Sequence, residues 1–424
     1  MSMRACTILV TLGIVLLGCR KEAEAPLPVS TWDLYESTDA IPISALTPRM
    51  SMEGVFRVAK GSDILGPQVA LKWTWSAEGN DTAYHVSMFT GLNAGYFIGQ
   101  GKSLNGSILL NGYWRQVTNT NTGLMRLTIA PEEGASLLLG SAPVVGPDSI
   151  IIRGVFGDGQ EVPLRPVELH YLRPLFSAKP FERMAHRGGG RTADLLTVSE
   201  NSVEMIRKAS RFGASGVEID VRFTSDGVPI LYHDNELNLR QIQPCGLVGP
   251  IEDYSYAQLS GMVRLIHGEK IPTLEEALHT IVHETPLDAV WLDTKYIGDL
   301  TKVQELQAQA IAEGQAIGRT VQILIGLPGQ GQYDQFIALP NYTSVPSLCE
   351  LTTDQATAAN SGIWGPRWTL GTQDDNVALM HGQGRKVWVW TVDGDSYIDQ
   401  FVHSNMDGIL SNYPSLVAYH HYVR

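Results

Sequence analysis

Met184-Ala185-His186-Arg187-Gly188 is the first of the three segments that decide the fold, followed by Val217-Glu218-Ile219-Asp220-Val221 and Pro229-Ile230-Leu231-Tyr232-His233-Asp234. Each is a short apolar run that ends in, or alternates with, charged or imidazole side chains. As a strand, residues 217–221 turn Glu218 and Asp220 to one face and the apolar side chains to the other. Polar groups at successive strand ends are typical of a (β/α)8 barrel, which assembles its functional site from βα loops at one face. We therefore predict an α/β fold with a TIM (β/α)8 barrel, of which residues 229–232 form one strand.

Neighbouring carboxylates in this region indicate a bound cation. Glu218 and Asp220 repel each other unless a cation, a proton or an arginine offsets their charges. A third acid, Asp293, follows the apolar run 289–292, which we predict to be the fourth barrel strand. Three oxygen ligands without a thiolate suit a hard divalent ion, so Mg²⁺ or Ca²⁺ is the expected cofactor rather than zinc.

These segments resemble the glycerophosphodiester phosphodiesterase family, and further motifs follow in the order and at the spacing usual in that family. The matching motifs are His186-Arg187-Gly188, Ser199-Glu200-Asn201-Ser202, Glu218-Ile219-Asp220, Asp226-Gly227-x-Pro229, His233-Asp234, Ile271-Pro272-Thr273-Leu274-Glu275-Glu276, Trp388-Val389-Trp390-Thr391-Val392-Asp393 and Asp407-Gly408-Ile409-Leu410-Ser411. The resemblance covers residues 180–424 and implies a barrel of the phospholipase C-like phosphodiesterase type.

The resemblance implies metal-dependent hydrolysis of glycerophosphodiesters to an alcohol and glycerol 3-phosphate. It makes His186 and His233 the catalytic acid/base pair, a role that suits imidazole because it titrates near neutral pH. It makes Glu218 and Asp220 metal ligands, with Asp293 as the third.

Five further residues are predicted to bind the substrate or its phosphate group. Arg187 can hold a phosphate oxygen bidentately, and Lys295 adds a point charge. The resemblance places Glu200, Asn201 and Trp390 in or beside the same site.

Two positions depart from the family's pattern. Asp293 stands where the family has the glutamate of a Glu-x-Lys motif, so the carboxylate is one methylene shorter. Asn412 stands where the family usually has an aspartate. Two alternatives stay open: lysophospholipase D-type activity on lysolipids, which an apolar groove in residues 235–270 would favour, and a non-catalytic, ligand-binding surface lipoprotein.

The N-terminal residues predict export and lipid anchoring. Residues 1–18 read as a lipoprotein signal peptide, because an apolar run too short to span a bilayer leads into Leu16-Leu17-Gly18-Cys19, which resembles a bacterial lipobox. We expect Cys19 to be lipidated and residues 19–29 to form a tether. The protein is then expected outside the cytoplasm, anchored to a bacterial inner or outer membrane.

Residues 30–175 predict a separate all-β domain, a sandwich or a barrel, whose role the sequence does not indicate. Short runs rich in Val, Ile, Trp and Tyr alternate with turn pairs, and no helical period interrupts them. We predict hairpins at Asn105-Gly106, Asn111-Gly112 and Asp158-Gly159, since both turn positions tolerate positive φ. A chain of 424 residues accommodates this domain and a barrel domain at 180–424.

Composition narrows the expected partners. A net charge of −13 argues against a nucleic-acid surface, which requires a basic patch. The expected partners are a small glycerophosphodiester and a membrane, and no feature of the sequence indicates an oligomeric state. Cys245 and Cys349 are too few for a disulfide framework, and isolated cysteines are more often buried and unpaired.

Overall fold

A computed structural model describes residues 27–143 and 146–424. The predicted signal peptide, Cys19 and residues 19–26 of the predicted tether lie outside the described residues. Within the described ranges, no helix combines the length and the apolar character needed to cross a membrane.

The N-terminal region is an antiparallel β barrel. Its strands in chain order are β1 (Ile41–Pro42), β2 (Gly54–Lys60), β3 (Gln68–Glu78), β4 (Asp81–Phe89), β5 (Tyr96–Leu104), β6 (Ser107–Arg115), β7 (Thr122–Ile129), β8 (Ile151–Phe156) and β9 (Arg165–Arg173). The barrel closes because β5 pairs with both β4 and β6, while β1 pairs only with β5 at its far end. The described residues also include three short helices that the sequence did not predict: α1 (Leu46–Met52), α2 (Ser62–Leu65) and α3 (Ala135–Leu139).

One predicted hairpin is wrong. Asn111-Gly112 lies inside β6, where Gly112 is paired with Gly99 of β5. A Cβ on Gly112 would lie 2.1 Å from the carbonyl oxygen of Ile98, so the close approach of two strands, and not a turn, requires this glycine. The Asn105-Gly106 pair does connect β5 to β6, with φ values of 49° and 80° as a tight hairpin demands.

Residues 182–422 form a second barrel with its helices outside, as predicted. In chain order the strands are β10 (Glu182–Ala185), β11 (Gly216–Phe223), β12 (Pro229–Leu231), β13 (Glu236–Leu237), β14 (Gly249–Pro250), β15 (Ala289–Thr294), β16 (Gln322–Leu327), β17 (Ser347–Cys349), β18 (Ile363–Trp364), β19 (Lys386–Val389) and β20 (Gly408–Ser411). The helices are α4 (Val203–Ala209), α5 (Tyr256–Met262), α6 (Leu274–Glu284), α7 (Thr301–Ala316), α8 (Gln330–Ile337), α9 (Thr353–Ala358), α10 (Asp374–Gly382), α11 (Asp395–Val402) and α12 (Pro414–Tyr422).

The barrel wall differs from the predicted strand order at one strand. Eight parallel strands of the described chain, β10, β11 and β15 to β20, close on themselves because β10 pairs with both β11 and β20. The predicted barrel strand at 229–232 is instead β12, which runs antiparallel to β11 with Val221 opposite Leu231. The connection 224–228 is too short for the crossover that a parallel neighbour needs. The strand carrying Asp293 is therefore the third of the wall and not the fourth, and the short β18 completes the eight.

Residues 235–270 are a long excursion in the sequence, which predicts a lid or side loop over the mouth, and they fold as a small unit beside the barrel mouth. The β13–β14 hairpin and α5 enclose a separate apolar cluster: Ile230, Tyr232, Leu237, Ile242, Ile251, Leu259, Val263, Leu265 and Ile271. Cys245 of this unit and Cys349 of β17 are both unpaired.

The spacing of apolar residues over 199–212 predicts a helix with Ser199 as its N-cap, but helix α4 begins later, at Val203. Its N-cap is Ser202, whose Oγ accepts from the Met205 N–H at 3.0 Å. Ser199, the predicted cap, instead binds Glu269 through its N–H at 3.0 Å and its Oγ at 2.7 Å.

The two barrels share a continuous apolar core. Tyr96 of the N-terminal barrel packs on Phe212, with ring centroids 5.3 Å apart. A Cβ on Gly213, which has φ +94°, would lie 2.5 Å from the Cβ of Ala418 and 3.1 Å from the ring of Phe89. Contacts this close show that the barrels are packed directly against each other.

Candidate active site

The three predicted metal ligands lie together at the carboxyl ends of adjacent strands. Glu218 and Asp220 face the barrel interior because they alternate with outward apolar residues of β11. Asp220 is paired in register with Asp293 of β15. One carboxylate oxygen from each of the three residues lies within 4.8 Å of the other two.

The electrostatics of this carboxylate cluster fit a hard divalent cation. Glu218 Oε1 and Asp293 Oδ1 are buried without a hydrogen-bond partner. Burial and the charge of Asp220 raise the pKa of Glu218 well above its usual range, and burial raises the pKa of Asp293. Carboxylates that repel each other and keep unsatisfied oxygens are stabilised by a bound cation. The shorter Asp293 side chain does not take its carboxylate out of the cluster.

Lys295 supplies one positive charge to the cluster. Its Nζ lies 3.1 Å from Asp220 Oδ1 and also contacts Asp293 Oδ2. Although burial opposes it, the neighbouring carboxylates raise the pKa of Lys295, so the ammonium group is charged at neutral pH. Burial would raise the pKa of Asp220, but Lys295 and other nearby cations lower it.

His186 follows β10 and is held from its Nδ1 side. Its Nδ1–H donates to Asn412 Oδ1 at 2.7 Å, and Asn412 Nδ2 donates to Asp393 Oδ2 at 2.6 Å. The Nε2 atom lies 3.7 Å from Glu218 Oε2. Burial and the nearby Arg187 charge lower the pKa of His186 to about 4, so the ring is neutral at pH 7 with Nε2 facing the carboxylates. Asn412 thus supplies the acceptor for His186 although it departs from the family's aspartate.

His233 is held in the same manner on the other side of the mouth. Its Nδ1–H donates to Asp234 Oδ1 at 2.6 Å, and its Nε2 accepts from Arg187 Nη2 at 2.9 Å. Arg187 Nη1 donates to Glu200 Oε1 at 2.8 Å, while the Arg187 backbone N–H donates to Glu218 Oε2 at 2.8 Å. Arg187 therefore connects His233 to the carboxylate cluster.

The two remaining residues that were predicted to bind substrate, Asn201 and Trp390, lie in different surroundings. Asn201 Nδ2 donates to Asp220 Oδ2 at 2.7 Å, and Asn201 Oδ1 accepts from the Asp220 N–H at 3.1 Å, so Asn201 orients the carboxylate. Trp390 follows β19; its Nε1 donates to the carbonyl of Gly365 at 2.8 Å, and its ring packs on the barrel's interior cluster. These contacts do not connect Trp390 to the carboxylates, and its substrate role stays a prediction.

Four residues of this mouth were not assigned a role from the sequence. Asp234 and Arg240 form an ion pair at 2.8 Å, and Arg240 also binds Glu200. Asp393 accepts a hydrogen bond from the Asn412 backbone N–H. Burial and the charge of Asp293 raise the pKa of Glu350 well above its usual range. Asp234 and Asp393 stood within quoted motifs, whereas Arg240 and Glu350 carry no signal in the sequence.

Comparison with known proteins gives a family match for part of the chain. Residues 186–326 match the model of the Glycerophosphoryl diester phosphodiesterase family. The matched segment includes both histidines and all three carboxylates described above. The resemblance predicted from the motifs is confirmed over this segment.

Two relatives illustrate the extent of the similarity. Human glycerophosphodiester phosphodiesterase 1 is 37% identical over 117 residues, which are 25% of this chain and 33% of the human protein. The probable glycerophosphodiester phosphodiesterase 2 of Mycobacterium tuberculosis is 26% identical over 264 residues, 55% of this chain and 88% of that protein. The match therefore spans about a third of the human relative's length.

Comparison with solved structures gave partial alignments. A glycerophosphodiester phosphodiesterase from Parabacteroides distasonis aligns with a TM-score of 0.45 and 21% identity, covering 57% of this chain and 96% of that chain. A phosphodiesterase from Oleispira antarctica, in complex with the product sn-glycerol-3-phosphate, aligns with a TM-score of 0.42 and 19% identity over 55% of this chain and 94% of that chain.

Proposed function

We propose that this chain is a metal-dependent phosphodiesterase that hydrolyses glycerophosphodiesters to an alcohol and glycerol 3-phosphate. The observation that carries this proposal is the convergence of three carboxylates, two anchored imidazoles and two cationic side chains at one barrel mouth. The family match over 186–326 and the names of the relatives support the substrate class.

Glu218, Asp220 and Asp293 would hold the cation, Mg²⁺ or Ca²⁺, through carboxylate oxygens. When bound, such an ion neutralises a phosphate oxygen and makes phosphorus more electrophilic. Arg187 would bind a second phosphate oxygen through its planar guanidinium, and Lys295 would add a point charge. Glu200 keeps Arg187 in place through their ion pair.

His186 and His233 would divide the proton transfers. Each ring is fixed through Nδ1, by Asn412 and by Asp234 respectively, so Nε2 is the atom left to exchange a proton within the site. One imidazole would take the proton of the nucleophile, a water or the substrate's own neighbouring hydroxyl, and the other would give a proton to the leaving alcohol oxygen. Substrate phosphate would compete with His233 for Arg187, and His233 Nε2 would then be free to transfer a proton.

The direct test is an assay of head-group alcohol release by the purified protein, with glycerol 3-phosphate as the second product of the deacylated diesters and lysophosphatidic acid as that of a lysolipid. Glycerophosphocholine, glycerophosphoethanolamine and glycerophosphoinositol would be compared with a lysolipid, each with and without added divalent metal. Release from the three water-soluble diesters that requires metal supports the proposal. Turnover of the lysolipid alone would favour the lysophospholipase D-type alternative, and turnover of none of the four would favour the non-catalytic one.

We also propose that the enzyme acts outside the cytoplasm, anchored through a lipid on Cys19. The Leu16-Leu17-Gly18-Cys19 motif supports this location. An anchored enzyme would meet its soluble substrates at a membrane surface.

A further inference from the structure

A second group of metal-binding side chains lies on the outer helices, apart from the carboxylate cluster. His279 and His283 are one turn apart on α6, with ring centroids 4.4 Å from each other. Glu313 of α7 faces them, and its Oε2 lies 3.4 Å from His283 Nε2. One ligand atom from each of the three residues lies within 4.8 Å of the other two.

The surroundings of these three residues favour a cation. Gln309 Nε2 donates to Glu313 Oε1 at 2.9 Å and orients the carboxylate. His279 and Glu313 line a cavity of about 510 Å³ between α4, α6 and α7. The two basic side chains of that cavity, Lys270 and Arg207, are each paired with a glutamate. His279 is exposed, so an ion can enter from solvent.

We propose that His279, His283 and Glu313 form a site for a borderline transition-metal ion such as Zn²⁺, which fastens α6 to α7. Two imidazoles and one carboxylate select zinc-like ions, whereas the three carboxylates of the barrel mouth select hard ions. Around a tetrahedral ion with bonds of about 2.0 Å, ligand atoms stand about 3.3 Å apart. The three ligand atoms, which lie within 4.8 Å of one another, would move closer on binding, and water can take the fourth position.

The test is a Co²⁺ titration of the untagged full-length protein in excess Mg²⁺, followed by the visible absorption of tetrahedral cobalt. The wild type should bind one equivalent with this absorption, and His279→Gln, His283→Gln and Glu313→Gln should each lose it. His381→Gln, which alters a surface histidine on α10, and Asp293→Asn, which alters the carboxylate cluster, should both retain it. Equal cobalt absorption in wild type and His283→Gln, its loss in Asp293→Asn, or its absence from the wild type would overturn the proposal.

A second, independent observation concerns the contact between the barrels. Arg115, the last residue of β6, is only 1% exposed and reaches into the C-terminal barrel. Its Nη2 donates to the carbonyl of Leu195 at 2.6 Å and to that of Asp194 at 3.2 Å. Leu195 has a left-handed backbone with φ 52°, a conformation that a non-glycine residue keeps only when its surroundings hold it.

The loop that Arg115 holds, residues 191–195, touches the hydrogen-bond network of His233. Thr192 N–H donates to Glu200 Oε2 at 2.7 Å. Glu200 Oε1 in turn binds Arg187, whose Nη2 donates to His233 Nε2. Displacement of the loop would therefore move the carboxylate that orients Arg187.

The same loop also touches the network of His186. Arg191 is fixed by Asp194 at 2.9 Å, and its Nη1 lies 3.9 Å from Asp393 Oδ2. Asp393 binds the side chain and the backbone of Asn412, which holds His186. Both imidazoles are thus connected to Arg115 through hydrogen bonds and ion pairs of the loop 191–195.

From this chain of contacts we infer that Arg115 is a positioning residue, through which the N-terminal barrel fixes the loop 191–195 for catalysis. The inference rests on the proposed function for its effect on rate. A displacement of about 1 Å at a catalytic group can cost about 100-fold. We expect Arg115→Met, which keeps the length but removes the donors, to lower kcat about 10- to 100-fold, with a smaller rise in KM because Arg187 also binds the substrate phosphate.

The test compares Arg115→Met, Arg115→Lys and the matched control Arg153→Met, a half-exposed arginine of the same barrel. Arg115→Lys, which keeps a charged donor, should recover part of kcat, and the control should equal the wild type. Hydrogen exchange of residues 191–200 should accelerate in Arg115→Met whatever the reaction is, so this readout separates the inference from the proposed function. The inference would be overturned if the exchange rate of residues 191–200 did not change, or if the loss of kcat equalled the fraction of Arg115→Met protein that is unfolded. If Arg115→Met does not fold, the kcat and the exchange rate of Arg115→Lys decide the question.

Discussion

Replacing Asn412 by leucine tests whether His186 must be held through its Nδ1 atom. The side chains have similar size, but leucine removes the 2.7 Å acceptor of His186 and the 2.6 Å donor to Asp393. The imidazole itself is retained, together with its neighbours Arg187 and Glu218. The substitution therefore alters the orientation of the ring that we propose transfers a proton, and not its presence.

The expected magnitudes follow from these contacts. An acid/base residue contributes about 10²–10⁴ in rate, and a ring that keeps its proton chemistry but loses its anchor should forfeit part of that factor. We expect kcat to fall about 10- to 100-fold, which is about 1.4–2.8 kcal/mol in the barrier. An unpaired donor on the largely buried His186 should cost about 1–3 kcal/mol of unfolding free energy. Asp393 adds little because its side chain is 32% exposed and can bind water.

The assay is steady-state release of glycerol 3-phosphate, with urea unfolding of the same samples. Asn111→Leu is the control, since Asn111 is a buried asparagine of the N-terminal barrel, remote from the mouth. It should change stability without changing kcat. A kcat for Asn412→Leu within twofold of the wild type would show that the Asn412 bond does not orient the reacting ring.

Four other results are expected. Chelation by EDTA should abolish hydrolysis and Mg²⁺ or Ca²⁺ should restore it, because the carboxylate cluster holds unsatisfied oxygens; activity that persists in EDTA would count against this site. His186→Ala and His233→Ala should each reduce the rate about 10²–10⁴-fold while calorimetry gives a Tm lowered by only a few degrees through loss of the Asn412 or Asp234 bond, and a fully active His233→Ala protein would refute its acid/base role. Gly213→Val should lower Tm, because its side chain would meet Ala418 at 2.5 Å on a backbone with positive φ, and an unaltered Tm would contradict the tight barrel contact. Cys19→Ser should move the protein from the membrane to the soluble fraction on cell fractionation, and continued membrane association would refute lipid anchoring at this residue.

The residues of the carboxylate cluster could be predicted because their signals are local. Alternation along 217–221 fixes which side chains share a face, and a barrel then brings the ends of neighbouring strands together. The direction of β12 was missed because an apolar run carries no information on strand polarity. The length of the connection 224–228 did indicate an antiparallel strand, since a parallel neighbour needs a crossover of a dozen or more residues.

Other errors arose where one residue type serves two structural purposes. Asn-Gly is a strong turn signal, yet Gly112 is needed for the close approach of β5 and β6 within a continuous strand. Ser199 and Ser202 are both suitable N-caps by type, and only the tertiary contact of Ser199 with Glu269 separates them. β18 has two residues, Ile363–Trp364, which is below the length at which strand periodicity can be recognised.

The residues that accept a hydrogen bond from the Nδ1 atoms of the two imidazoles were not equally easy to predict from the sequence. Asp234 follows His233 directly, but Asn412 lies 226 positions from His186. Barrel closure still constrains that distant contact: the first and last strands of a closed wall are neighbours, so the loops that follow β10 and β20 must meet. The residues just after Ser411 could therefore be expected beside His186, and there Asn412 stands in place of the family's usual aspartate. Arg115 has no such constraint, because its contact with the loop 191–195 depends on how a separate barrel docks.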